Sequence, residues 1–265
     1  MLLSRVLYEQ TREKNPQYPF SIPWLKGFEG IEFEHPVTFL VGENGIGKST
    51  FIEALAMKCE AIQLTNHSFY QNPEYEEVSQ LAEALSLHWH YKTKRGLFFR
   101  ADDFITFIRQ TEQRKREAEQ AIIEIEERNT HSPELEKIPY LNTLAALDRL
   151  YPVELQTLSH GQSFLALFKS RLVPKGLYLL DEPETPLSPQ NQLSLMYLIH
   201  KQVKQGSQFI ISTHSPILTA YPEASILELS EKGLCPIAYE DIEHVQFMTH
   251  FMSDPKRFIH YTLHE

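Results

Sequence analysis

The sequence predicts an α/β protein built on a mainly parallel sheet covered on both faces. Two observations carry that prediction. Three short apolar runs, over residues 36–41, 177–180 and 208–212, are brief and rich in β-branched, aromatic and leucine side chains, so they read as buried strands. Helical stretches, rather than tight turns, follow or separate them. Buried strands joined by helices pair in parallel and need cover on both sides.

The elements follow in order. Pro36-Val-Thr-Phe-Leu-Val41 is the first buried strand, and a glycine-rich turn leads from it into a helix over Lys48 to about Cys59. Residues from Asp103 to Arg128 are helical by composition, yet Thr111 to Arg116 contains no apolar residue. A helix polar all round projects into solvent, and Lys115 and Glu119, spaced i,i+4, support it slightly. His131-Ser132-Pro133 breaks the pattern, and a second helix is expected over about Asn142–Leu150. Residues 100–158 therefore read as a helical subdomain inserted into one domain that spans 1–265. Pro189 to Gln205 is helical, with Gly206 placed to cap its C-terminus. Tyr239 to Phe251 reads as a C-terminal docking helix with core aromatics.

Composition narrows the function classes. The 265 residues are 42% hydrophobic and 23% charged, with a net charge of −10. That balance opposes nonspecific coating of nucleic acid, although it leaves local contact open. Two basic clusters, Lys92/Lys94/Arg95 and Arg114–Arg116, read as solvated surface. Cys59 and Cys235 form no Cys-x-x-Cys pair and read as buried thiols of a reducing compartment. No signal-like apolar region opens the chain, and no run reaches the ~20 apolar residues of a membrane span. A cytoplasmic protein without membrane insertion is expected. His88-Trp89-His90 puts two imidazoles on one strand face but offers no third zinc ligand.

The motifs point to nucleotide chemistry. Gly42-Glu43-Asn44-Gly45-Ile46-Gly47-Lys48-Ser49, followed by Thr50, fits the phosphate-loop pattern at every fixed position, between a strand and a helix. Its glycines permit positive φ, and the helix start adds a favourable dipole. Lys48 is expected to bridge the β- and γ-phosphates of ATP, and Ser49 Oγ to ligate Mg²⁺. The run Leu177–Leu180 delivers Asp181 and Glu182 at a strand end. Asp181 is expected to hold Mg²⁺ and Glu182 to polarise the attacking water. His214 closes the third strand and is expected to bond the γ-phosphate or position the water. Leu158-Ser159-His160-Gly161-Gln162 reads by itself as a capping box, with Ser159 as the cap and Gln162 three residues on.

Phosphate loop, Asp-Glu pair and strand-end histidine, in this order, resemble the ATP-binding-cassette (ABC) ATPase superfamily. Residues 158–162 fall where that superfamily carries its LSGGQ signature, with His160 in place of the first glycine. Asp181-Glu182-Pro183-Glu184, Leu187-Ser188-Pro189 and Thr213-His214-Ser215-Pro216 look most like the soluble branch related to SMC and RecF. Phe98–Asp102 and Ala238–Asp241 add a resemblance to a family of small bacterial predicted ATPases of unassigned role. The resemblance implies an ABC-type fold that hydrolyses ATP with Mg²⁺ and forms an ATP-dependent head-to-tail homodimer. In it, Ser159, Gly161 and Gln162 of one chain face the phosphate loop of the other. It also implies an unknown protein partner that the ATPase drives or gates, in DNA repair or phage defence. The alternatives are the nucleotide-binding subunit of a membrane transporter and a slow nucleotide-regulated scaffold. Two positions depart from the pattern. No Gln follows Gly96–Phe99, so Arg100, Asp102 or Asp103 takes that place, with Asp102 preferred because a carboxylate serves Mg²⁺. Leu187-Ser188-Pro189 replaces the usual Asp-ending loop. Phe20, Trp24 and Phe28 are all open as the adenine platform.

Overall fold

The computed structural model describes residues 1–9, 17–63, 76–128, 132–150 and 160–264. In chain order the elements are β1 (Leu3–Tyr8), β2 (Gly30–Glu32), β3 (Val37–Val41), α1 (Lys48–Lys58), α2 (Glu76–Glu83), β4 (Leu85–Trp89) and β5 (Gly96–Arg100). Then come α3 (Ala101–Arg128), α4 (Pro133–Leu150), α5 (His160–Arg171), β6 (Leu177–Asp181), α6 (Pro189–Val203) and β7 (Gln208–Ser212). The chain closes with α7 (Pro216–Thr219), β8 (Ser225–Ser230), β9 (Gly233–Pro236), α8 (Glu243–Ser253) and α9 (Pro255–His264).

Six strands form the central sheet in the order β5-β6-β7-β3-β8-β9, parallel except for the β8–β9 hairpin. Strand periodicity builds its two cores. Adjacent residues of each strand face opposite ways, so Leu40, Phe98, Leu179 and Ile210 enter one core, while Phe39, Phe99, Leu180 and Ile211 enter the other. The first core is closed by α1, α2 and a three-stranded antiparallel sheet, β2-β1-β4. The second is closed by the start of α3 and by α5 and α6. Gln208, fully buried at the start of β7, ties the two sheets together. Its Oε1 accepts from the backbone N–H groups of Leu2 and Leu3 at 2.9 and 2.8 Å, and its Nε2 donates to Leu3 O at 2.9 Å.

α3 and α4 form a long antiparallel pair. Only the first turns of α3 enter the second core, through Ala101, Phe104 and Ile108. Beyond them the helices are linked by Lys115–Asp148 at 3.6 Å and Lys137–Glu126 at 2.9 Å. Among the described residues no helix is long and apolar enough to cross a membrane.

Several expectations need correction. α4 starts at Pro133 rather than about Asn142, because Pro is well placed at a first helical position and Pro139 is tolerated inside the helix. α3 starts at Ala101, continuing straight from β5. α6 ends at Val203 with Lys204 as its cap, and Gly206 adopts positive φ in the turn beyond. Cys235 is exposed on the edge strand β9, and Cys59 is half-buried. The aromatics of α8 are not core: Phe247 is 55% exposed, whereas Ile242 and Val245 are buried against Val41. His88 and His90 are both exposed, with His90 beyond the end of β4.

Candidate active site

The site is assembled at the C-terminal ends of β3, β6 and β7, neighbours in the sheet. β3 runs into the phosphate loop, where crowding dictates glycine. A Cβ on Gly42 would stand 2.3 Å from Leu229 O on β8, and Gly47 caps α1 in the left-handed conformation at φ 100°. Lys48, buried in the first turn of α1, donates from Nζ to Gly42 O and Glu43 O, each at 2.8 Å. Burial lowers its pKa, opposed by the nearby charges of Glu182, Asp181 and Glu184. The ammonium is thus folded back into its own loop, where its charge is available to an incoming phosphate. Glu43, Asn44 and Gly45 are exposed along the loop, and Ile46 is half-buried. Thr50 is buried and bonds the Tyr18 hydroxyl at 2.8 Å.

The register Asp181↔Ser212 between β6 and β7 sets the acidic side of the site. Ser49 Oγ donates to Asp181 Oδ1 at 3.1 Å, and Ser212 Oγ donates to the same oxygen. Burial raises the Asp181 pKa, and these two hydrogen bonds oppose the rise. A buried carboxylate oxygen shared with a serine hydroxyl is a hard oxygen donor set of the kind that suits Mg²⁺. The next residue, Glu182, has positive φ, and its N–H donates to Ser212 O at 3.0 Å. That turn leaves its side chain 43% exposed, 3.9 Å from His214 Nε2. Burial, aided by the charge of Lys48, lowers the His214 pKa, so the imidazole is neutral near pH 7 and this contact is not an ion pair there.

Glu184 positions His214. Its Oε1 accepts the backbone N–H of His214 at 2.7 Å, and burial raises its pKa. Its role depends on a tertiary contact across 30 positions, so local sequence pattern carries no sign of it. At the end of β5, where the ABC pattern has glutamine, Arg100 pairs with Glu53 and with Asp103, both at 2.9 Å. Glu53 lies one turn after Ser49 on α1, and burial lifts its carboxyl to about 7 against the pull of Arg100.

The structure thus brings Lys48, Ser49, Asp181, Glu182 and His214 together. Asp102 is exposed on the first turn of α3, and no described contact joins it to Ser49 or Asp181. Ser159 lies outside the described residues, and with it the capping box. Gly161 is buried at the start of α5 beside Pro186 O and Asn191, just past the Asp-Glu pair, and Gln162 is exposed. Trp24 and Phe28 are core, packed edge-on against Phe51 at 5.3 and 5.9 Å between ring centroids. Phe20 is only partly buried, and Tyr18, which no sequence motif marks, is exposed beside Thr50.

A phosphate loop and an Asp-Glu strand end on this parallel strand order define an ABC-type P-loop ATPase domain. The family model described as "AAA domain, putative AbiEii toxin, Type IV TA system" matches residues 78–220, just over half of the chain, and the chain belongs to that family. It is 31% identical over 198 residues to the cobalt import ATP-binding protein CbiO of Salmonella paratyphi A. The match covers 72% of this chain and 66% of that protein, so the chain spans slightly under two thirds of that relative's length. Among solved structures it resembles cbiO1 of Clostridium perfringens, with 16% identity, TM-score 0.46 and 99% of each chain covered. It also resembles the SMC head domain of Thermotoga maritima, with 15% identity, TM-score 0.44 and coverage of 89% of this chain and 98% of that one.

Proposed function

We propose that this chain hydrolyses ATP and uses the γ-phosphate to control head-to-tail pairing with a second copy. The observation that carries the reading is the Ser49–Asp181 hydrogen bond at 3.1 Å, because it joins the phosphate loop to the acidic strand end. Ser49 Oγ and Asp181 would hold Mg²⁺, which offsets charge on the phosphates when bound. Lys48 exchanges its two carbonyl partners for β- and γ-phosphate oxygens. Glu182, exposed beside Asp181, takes the proton of the attacking water. His214, neutral and fixed by Glu184, donates to the γ-phosphate. Gly161 and Gln162, with Ser159, face the nucleotide of the partner copy through the positive end of α5. Phe20 and Tyr18 are the aromatics left for the base once Trp24 and Phe28 belong to the core.

ADP lacks the group that bridges the two copies, so hydrolysis weakens the pair. Only such differential contact shifts an equilibrium. The toxin–antitoxin system in the family's description favours a defence role over DNA repair, with an unidentified protein partner driven or gated by the cycle. The test is light scattering of Glu182→Gln. It should dimerise with ATP and remain monomeric with ADP; a monomer in both overturns the pairing.

A second reading is the nucleotide-binding subunit of a membrane transporter, favoured by the likeness to the Salmonella cobalt import protein. Arg100, ion-paired where the transporter pattern carries glutamine, weighs against it. Co-purification with an integral membrane protein would favour this reading over the first.

A further inference from the structure

A cleft of about 850 Å³ lies beside the phosphate loop, and its lining joins Gly42, Asn44 and His214 to His244 and Phe247 of α8. His244 stands in the first turn of α8, and its ring centroid is 6.2 Å from that of His214. The Nε2 atoms of both rings are buried without a hydrogen-bond partner. A ring nitrogen enclosed in this way costs stability unless something meets it. Two such nitrogens on neighbouring rings, in one cleft with the phosphate loop, are arranged for an acceptor.

The mount of His244 is rigid. Ile242 and Val245, on either side of it, are buried against Val41, the last residue of β3 before the phosphate loop. The Tyr239 hydroxyl donates to Pro216 O at 3.0 Å, two residues after His214. Core packing therefore holds His244 in register with both the phosphate loop and His214. Burial is the first cause that lowers the basicity of each ring, and the charge of Lys48 adds to it. Both rings are thus neutral near pH 7 before any anion enters the cleft. Of the charged groups that line the cleft, Glu43, Glu231, Lys232 and Glu243 are exposed and Glu228 is half-buried.

We propose that His244 is a second phosphate-contacting imidazole that, with His214, grips the terminal phosphoryl group of bound ATP. The assignment rests on the ATP-site reading above. ADP places no phosphate between the rings, so His244 makes α8 sensitive to the nucleotide state. Phe247 and Phe251 of α8 pack on Phe258 of α9 at 6.1 and 6.0 Å between centroids, which carries that state to the C-terminal helix pair.

The test compares the affinities of the protein for a non-hydrolysable ATP analogue and for ADP, by calorimetry with Mg²⁺. His244→Ala should weaken the analogue by about tenfold or more, the size of a lost hydrogen bond to a charged group, and leave ADP affinity unchanged. His244→Asn, which keeps a donor, should recover part of the loss. An unchanged analogue-to-ADP ratio in His244→Ala overturns the assignment alone. Equal loss for both nucleotides also overturns it, since that marks a structural role. Failure of the wild-type protein to bind either nucleotide overturns the ATP-site reading and this assignment with it.

Discussion

Glu53→Gln gives a quantitative test of the electrostatics beneath the site. The Glu53 carboxyl is held at about 7 in the folded protein against 4.5 ordinarily, chiefly by burial. Between those values the folded chain binds more protons than the unfolded one. The stability tied to this proton is therefore fully present below about pH 4.5 and is lost as pH rises through about 7. At 1.36 kcal/mol per pKa unit, the shift corresponds to about 3 kcal/mol across that window. Glutamine cannot titrate but still offers Arg100 an oxygen. The assay is denaturant unfolding of wild type and Glu53→Gln in parallel from about pH 5 to about pH 8. The stability of the wild type relative to the variant should fall by about 2.5 kcal/mol over that range, most of it below about pH 7. Curves that stay parallel to within about 0.5 kcal/mol would refute the placement of a strained carboxyl beside Arg100 and Asp181.

Other substitutions test the rest of the framework. Gln208→Leu strands the N–H groups of Leu2 and Leu3, which should cost about 3 kcal/mol in chemical denaturation; a loss below about 1 kcal/mol would show that the two sheets are joined elsewhere. Gly161→Ala gains up to about 1 kcal/mol of helix propensity. It also places a Cβ 2.7 Å from Pro186 O and 2.8 Å from Asn191 Nδ2. The clash should win, with a net loss of about 1–2 kcal/mol in denaturant unfolding, and a more stable variant would contradict the packing of α5 on the loop past Glu182. Ser212→Ala removes one of two hydroxyls that hold Asp181 and should raise the Mg²⁺ concentration needed for half-maximal nucleotide binding; an unchanged requirement would separate Ser212 from the metal-binding oxygen.

Local signals made much of the molecule legible. The three buried strands and the phosphate loop announce themselves by short apolar runs and by glycine, lysine and serine at fixed spacing. The sheet β2-β1-β4 escaped notice because β1 finds one partner more than 20 positions away and another about 80 away, with no turn motif to mark either pairing. Glu184 and Ser212 escaped as functional side chains for the same reason. Each acts through a neighbouring strand end, and the contact exists only once β6 and β7 are in register. The aromatics of α8 misled because an apolar pattern does not say which face meets the core; two aliphatic residues, Ile242 and Val245, make that contact instead. Carboxylate chemistry alone favours Asp102, but the turn from β5 into α3 leaves its side chain exposed.

The proposed hydrolytic site joins Lys48, Asp181 and Glu182. Phosphate release from ATP with Mg²⁺ tests it most directly, measured on wild type, Lys48→Ala and Glu182→Gln. Turnover by the wild type is expected, with loss of nucleotide binding in Lys48→Ala and a rate at least about 100-fold lower in Glu182→Gln with binding intact. No phosphate release by the wild type, or variants that match it, would rule out hydrolysis at this site.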